Sequence, residues 1–196
     1  MDSTALPLAA YIVATTFTPG PNNLSATSAG LKLGFTRALP HLAGIATGFF
    51  IVMLASGSFN FVLRNNIAQV STWLKWIGFA YMLWLTASLF IGGGHGEGKA
   101  GVFTYAGGAL LQLVNVKVIL YGITLYGMFP ASLLGTPAGI PLSALGLAGV
   151  ASISILVWCL AGTTFRRLLS SERGRLVFNL VMAALLLWSA FAILLG

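Results

Sequence analysis

The sequence predicts an all-α membrane protein, and its composition, its scarcity of charge and its long apolar runs carry that prediction. Hydrophobic residues make up 58% of the 196 residues, only 7% are charged, and the mean hydropathy is +0.94. A soluble domain carries roughly 25% charged residues. Uncharged runs such as 3–31, 118–165 and 176–196 exceed the about 20 residues that a spanning helix needs. They are also too long for barrel strands of about ten residues.

Six spanning helices are predicted from these runs. The longest run is too long for one helix, and the turn-forming residues from Pro130 to Pro141 divide it in two. We expect a single transmembrane domain over 1–196, in which the glycine-rich stretch 92–103 links two three-helix halves at about 1–92 and 104–196. The predicted spans are about 5–29, 39–62, 68–91, 104–129, 140–164 and 176–195.

The net charge of +7 is interpreted as a signal of membrane topology. Cytoplasmic loops of membrane proteins carry an excess of Lys and Arg, so no nucleic-acid partner is expected. Seven of the ten Lys and Arg residues fall in the odd-numbered loops, and only Arg64 lies on the opposite side. This asymmetry places both termini outside. The first span lacks a preceding cationic segment, so we expect it to be retained and not cleaved as a signal peptide.

The first span is predicted to be interrupted at Pro19, Gly20 and Pro21. Two prolines remove two backbone donors, and glycine weakens a helix further. Within a membrane, broken backbone survives only where it is buried in protein or lines a wet cavity. Asn22 and Asn23 follow at the start of the resumed helix, whose N-terminus would attract a carboxylate. Their carboxamides suit a zwitterionic ligand, although they could instead only cap the helix.

Polar residues recur at a matching place in the fourth span, at Gln112, Asn115 and Lys117. Asn115 lies 93 residues after Asn22, close to half the chain length. Because each half holds three spans, the second half must be inverted relative to the first. This arrangement predicts a 3+3 inverted repeat, in which the substrate of a transporter lies where interrupted helices meet.

Lys117 is the most consequential charge, because a lysine near the centre of a span costs roughly 2.5–3.5 kcal/mol on insertion scales. Two functions would account for it: a counter-charge to a substrate carboxylate, or a carrier of protons. The alternative is a structural lysine that donates to carbonyl groups at a helix break.

The segment from Thr18 to Phe49, which begins TPGPNN, resembles the opening signature of the LysE/RhtB amino-acid exporters. The stretch LLQLVNVKVILYGIT from Leu110 resembles the fourth-span motif of that family, in the form found in its cysteine/O-acetylserine branch. Many members have Asn-Pro-Lys where this chain has Val116 between Asn115 and Lys117, so a break in the fourth helix is left open. The resemblance implies a bacterial inner-membrane transporter that exports small amino acids such as cysteine and O-acetylserine, in exchange for protons, by alternating access.

The three carboxylates, Asp2, Glu97 and Glu172, lie outside the predicted spans, so none can relay protons within the membrane. A coupled proton would have to ride on Lys117, on His41, on a tyrosine such as Tyr121, or on the substrate. A lone histidine near the membrane surface is more often only solvated, which is the alternative for His41.

Other function classes find less support in the sequence. An intramembrane serine protease would want a histidine in mid-membrane, which this chain lacks. There is no metal-ligand cluster and no phosphate-binding glycine motif, so we expect neither a metal, nor a cofactor, nor an enzyme. A channel or a structural membrane subunit stays open. The glycine pairs Gly30/Gly34 and Gly44/Gly48 fit close helix packing in lipid and permit a homodimer without requiring one.

Overall fold

A computed structural model describes residues 5–62, 67–91, 103–128, 136, 138–166 and 171–195. These residues form eight helices and, within those ranges, no strand, so the predicted all-α class is confirmed. Most of the predicted linker, with His95, lies outside the described residues, as does Arg64. The helices are α1 (Ala5–Phe17), α2 (Pro21–Leu33), α3 (Phe35–Val62), α4 (Ile67–Ile91), α5 (Tyr105–Leu113), α6 (Val116–Met128), α7 (Gly139–Thr164) and α8 (Glu172–Leu195).

The first predicted interruption is confirmed. Helix α1 ends at Phe17, and α2 begins at Pro21, in the first turn where proline is tolerated. Gly20 precedes it in an extended conformation, with φ −172° and ψ −179°. Gly20, the N-cap residue, has no side chain that could accept a hydrogen bond from the first-turn amides of α2.

The fourth predicted span is also broken, which the sequence left open. Helix α5 ends at Leu113, α6 begins at Val116, and the two helices meet at an angle of 58°. The Asn115 N–H donates to the Gln112 carbonyl, which closes a tight turn. The Asn115 carbonyl then accepts from Val118 and Ile119 and begins α6. Proline is therefore not needed for a break at this point.

Three helices among the described residues are long and apolar enough to cross a membrane by themselves. They lie within α3, α7 and α8, and the bent pair α5–α6 makes a fourth span if it is counted as one. Helix α8 begins four residues before the predicted span, because Ser171 caps it and accepts a hydrogen bond from the Gly174 N–H. The structure supports a multi-pass membrane protein.

Close helix crossings bring the two breaks together. Helix α2 packs against α7, and α3 packs against both α5 and α7, while α4 pairs with α8. At two of these crossings a glycine lies against the backbone carbonyl of the facing helix, as with Gly30 at Cys159 and Gly44 at Tyr105. A β-carbon at either glycine would collide with that carbonyl, so these positions explain the small-residue spacing.

Gly34 does not pack against another helix, although its four-residue spacing from Gly30 suggested that it would. Its φ is +78°, and nothing lies within 4 Å of the point where a β-carbon would stand. It ends α2 in a backbone conformation that side-chain-bearing residues rarely adopt. Its amide still donates to the Gly30 carbonyl at 3.0 Å.

Candidate functional site

Asn22 connects the two breaks through its side chain. Its Nδ2 donates to Gln112 Oε1 at 3.0 Å, and its Oδ1 accepts from Gln112 Nε2 at 2.8 Å. The same Oδ1 accepts a second hydrogen bond, from Asn115 Nδ2 at 2.7 Å. The carboxamides from the two halves of the chain therefore form one network across 90 or more residues of sequence.

Lys117 reaches from the second break to the first. Its Nζ donates to the carbonyl oxygens of Thr18 and Pro19 and contacts the Thr18 hydroxyl oxygen, each at 3.1 Å. These carbonyls follow the last turn of α1, where the helix dipole favours a cation. The arrangement is the structural alternative that the sequence left open for this lysine. It also places the ammonium group between the two breaks.

Gly20 leaves the space that Lys117 occupies. A β-carbon on Gly20 would stand 2.9 Å from Lys117 Cδ and 3.1 Å from Nζ. Since its backbone is extended, any residue could adopt the conformation. The glycine at this position is explained by room for the lysine and not by backbone freedom.

Asn23 holds the end of α1. Its Nδ2 donates to the carbonyl oxygens of Thr16 at 3.1 Å and Thr18 at 2.9 Å, and its side chain is buried. Ser154 on α7 donates to the same Thr16 carbonyl at 3.0 Å and lies 3.4 Å from Asn23 Oδ1. Two side chains therefore satisfy backbone groups freed by the break, which is the capping alternative for Asn23.

A cavity of about 40 Å³ lies between the breaks. This space is large enough to admit water. The predicted residues Gly20, Pro21, Asn22, Asn23, Asn115 and Lys117 line it, together with Tyr121 and apolar residues of α3 and α7. Gln112 is fully buried behind this wall, where it contacts Asn22.

Two buried polar atoms in the residues that line this cavity have no hydrogen-bond partner: Asn115 Oδ1 and the Tyr121 hydroxyl. A buried polar group without a partner costs about 1–3 kcal/mol. Water or a bound ligand would remove that cost. The carbonyl oxygen of an asparagine can only accept, whereas a phenol can donate and accept.

His41 belongs to α3 and lies outside the lining of this cavity, where its side chain faces α2 and the residue preceding α5. Its Nδ1 donates to the Thr104 carbonyl at 3.1 Å, and its Nε2 lies 2.8 Å from the Ser25 hydroxyl. The ring is only 1% exposed and meets Phe103 edge-on. The expectation of a solvated surface histidine was wrong, because polar partners distant in sequence satisfy both ring nitrogens.

A second, larger cavity of about 460 Å³ lies between α7 and α8. Its walls include Trp158, Phe165, Val177 and Phe178, with Arg173 as the charged residue. It contains neither break. Within the described ranges, no group of three or more His, Cys, Asp and Glu residues could hold a metal ion.

Sequence reasoning missed the roles of Ser25, Ser154 and the threonines that precede the first break. A signal was present, because Thr15, Thr16 and Thr18 form a polar cluster inside an apolar run. Ser154 is likewise a polar residue in the middle of an apolar helix. Such residues can satisfy backbone groups that a helix break releases.

Comparison with known proteins gives a consistent result. A family profile described as "LysE type translocator" matches residues 13–196. A Klebsiella pneumoniae protein named cysteine/O-acetylserine efflux protein is 36% identical over 187 residues, which cover 93% of each chain. An Escherichia coli K12 protein of the same name is 34% identical over 184 residues, again 93% of each chain. No solved structure matches significantly.

Proposed function

The chain belongs to the LysE type translocator family, and from that premise we propose that it exports small amino acids from the bacterial cytoplasm. Cysteine and O-acetylserine are the proposed substrates, since the relatives carry those names. The observation that carries the proposal is the cavity between the two breaks. Opposite halves of the chain build its walls, and two of its residues hold buried polar atoms without partners.

The proposed binding mode uses the charge pattern of these walls. The substrate carboxylate lies at the first turn of α2, near the backbone of Asn22 and Asn23, and pairs with Lys117. The substrate ammonium donates to Asn115 Oδ1, since Asn22 Oδ1 already accepts two hydrogen bonds. Asn22 and Gln112 then act as positioning residues, and Pro19 to Pro21 keep the helix open.

Substrate entry requires the site to widen. The cavity measures about 40 Å³, and Lys117 already occupies the space beside Gly20. We propose that the halves rock relative to each other, which widens the site towards one side of the membrane at a time. Lys117 would exchange its contacts with Thr18 and Pro19 for the substrate carboxylate during this motion.

The proposed architecture is a single domain of six helices in a 3+3 inverted repeat, with halves at 1–92 and 104–196. In such a repeat α3 corresponds to α7, and α4 corresponds to α8. Each of these pairs packs together, as elements related by a pseudo-twofold axis would. The matched breaks at Pro19 and Asn115 support the same relation. The Lys and Arg asymmetry supports N- and C-termini that lie outside the cytoplasm.

Exchange with protons is proposed to proceed through Lys117. It is the charged side chain among the described residues that line the cavity, and it contacts both breaks. His41 is a weaker candidate because it does not line the cavity, and its ring nitrogens are already engaged. Tyr121 also lines the cavity, but its phenol is ordinarily uncharged and so is a weaker candidate than Lys117.

Transport in proteoliposomes tests this function. Vesicles loaded with labelled O-acetylserine should release it faster with the protein than without it, and faster still when a pH gradient drives proton entry. The Lys117→Ala variant should release it at least about tenfold more slowly, because losing a charged hydrogen bond costs about 1.5–3 kcal/mol. Lys32→Ala is the matched control, since Lys32 lies over Phe103 and outside the cavity lining.

The outcomes separate the candidate functions. Equal rates for the wild type and Lys117→Ala would remove Lys117 from the mechanism and leave it as a structural lysine. If no small amino acid moves under any pH gradient, the export proposal fails. A channel would give only passive flux, which a pH gradient could not drive against the concentration gradient of the amino acid. A structural subunit would give no flux.

A further inference from the structure

The hydroxyl group of Tyr121 is buried, and the Thr16 side chain is a polar group beside it, although the two form no hydrogen bond of good geometry. The residue is 5% exposed, it lines the cavity between the breaks, and its oxygen has no hydrogen-bond partner. The binding mode of the amino and carboxyl groups does not use it. An unpartnered donor of this kind, beside a ligand cavity, is available to a bound molecule.

Neighbouring rings hold Tyr121 in place. Tyr11 of α1 stacks on it at a centroid distance of 5.9 Å and an interplanar angle of 15°, and Phe49 of α3 lies 6.0 Å away. On α6, Tyr121 follows Lys117 by four residues, so both side chains project from the same face of the helix. The phenol is therefore within reach of a ligand whose carboxylate pairs with Lys117.

Apart from threonine hydroxyls such as that of Thr16, the side chains around Tyr121 at the cavity are apolar. Phe49, Val118, Ala151 and Ile155 line it, and Lys117 is the charged member of the described lining. Once the substrate carboxylate pairs with Lys117, a charged side chain would find no second counter-ion among the described lining residues and would have to give up its hydration. A short, uncharged side chain with one hydrogen-bond acceptor fits both the apolar walls and the Tyr121 hydroxyl.

We propose that Tyr121 recognises the substrate side chain by donating a hydrogen bond to an ester carbonyl, so that amino acids with an acetyl ester bind better than amino acids with a thiol. This inference rests on the proposed export function. An ester carbonyl is a good acceptor, whereas a thiol sulfur is a weak one. The hydroxyl should therefore contribute to the transport of O-acetylserine and little to that of cysteine.

The Tyr121→Phe substitution tests the assignment because it removes one oxygen and keeps the stacked ring. Efflux of labelled O-acetylserine and of reduced cysteine is measured in the same proteoliposome preparation. We expect O-acetylserine efflux to fall roughly 3- to 10-fold at subsaturating substrate, as the loss of one hydrogen bond predicts. Cysteine efflux should stay within about twofold.

Tyr126→Phe is the matched control. Tyr126 lies on the same helix, and its hydroxyl is 2.9 Å from that of Ser143, away from the cavity lining. It should leave the ratio of the two efflux rates unchanged. Thermal unfolding of each variant in detergent shows whether the protein remains folded.

Two results of the efflux measurements would overturn the assignment. Equal losses for both substrates would make Tyr121 a general positioning residue. No loss for either would mean that only water satisfies the hydroxyl. If Tyr121→Phe does not fold, competition between the two substrates for export by the wild type decides. The proposal requires O-acetylserine to compete better than cysteine. A wild-type protein that moves neither substrate would contradict the export function itself, which is a separate failure.

Discussion

Asn22 and Gln112 are predicted to be energetically coupled, although they are 90 residues apart in sequence. Two reciprocal hydrogen bonds of 3.0 and 2.8 Å join their carboxamides. Replacing either residue with leucine leaves the other amide buried without its partner. Replacing both removes the pair together, so the second substitution should cost less than the first.

The expected coupling can be worked from these contacts. Hydrogen bonds between helices in membranes contribute about 0.6 kcal/mol on average, and those in soluble proteins contribute about 1 kcal/mol. Two bonds therefore give a coupling free energy of about 1–2 kcal/mol between Asn22 and Gln112. Asn22→Leu alone, which also removes the bond from Asn115, should lower the free energy of unfolding by about 2–3 kcal/mol.

A double-mutant cycle measures this coupling. The free energy of unfolding is determined in mixed micelles for the wild type, Asn22→Leu, Gln112→Leu and the double variant. The control cycle pairs Asn22→Leu with Asn60→Leu, because Asn60 is a buried asparagine that donates to the carbonyl groups of Ser56 and Ile123. It shares no partner with Asn22.

Additive effects in the first cycle would refute the reasoning. Sites that do not interact add within about 0.3–0.5 kcal/mol, which is the result expected for the control. The same result for Asn22 and Gln112 would mean that the two breaks are not joined by these side chains. The measurement needs no transport assay, so it tests the geometry independently of function.

Two further predictions concern glycines. Gly20→Ala should displace Lys117 and slow efflux towards the level of Lys117→Ala, because its β-carbon would stand 2.9 Å from Lys117 Cδ. In the Lys117→Ala background the same substitution should have no further effect on efflux, and an additive loss would contradict the reasoning. Gly44→Ala should lower the free energy of unfolding by about 1–3 kcal/mol, since its β-carbon would meet the backbone of Tyr105. Gly146 lies on α7 with open space around it, so Gly146→Ala should leave the free energy of unfolding unchanged or raise it by about 0.5–1 kcal/mol. Equal effects of the two alanines, measured by unfolding in detergent, would show that the crossing does not depend on Gly44.

The helical class and the first break were predictable because local chemistry determines them. Pro19 and Pro21 cannot donate backbone hydrogen bonds, whatever surrounds them. The second break was not predictable in the same way, because Val116 is compatible with a continuous helix. Its bend is accompanied by side-chain contacts from Asn115 and Lys117 to the other break, which a sequence pattern does not reveal.

The candidate residues were predictable as a set, but their individual contacts were not. Lys117 and Asn23 were recognised as polar groups in apolar runs, yet their backbone partners at Thr16 and Thr18 depend on how the two breaks pack. His41 shows the same limit. The burial of its ring could not be inferred from its place near the end of a predicted span, since the Ser25 hydroxyl that contacts it lies on another helix.

A structure with O-acetylserine bound tests the central claim most directly. The account predicts the amino acid between the two breaks, with its ammonium at Asn115 Oδ1, its carboxylate at Lys117 and the first turn of α2, and its acetyl group at Tyr121. Binding in the larger cavity beside Trp158 and Phe178, with Asn115 Oδ1 and the Tyr121 hydroxyl still unpartnered, would contradict it.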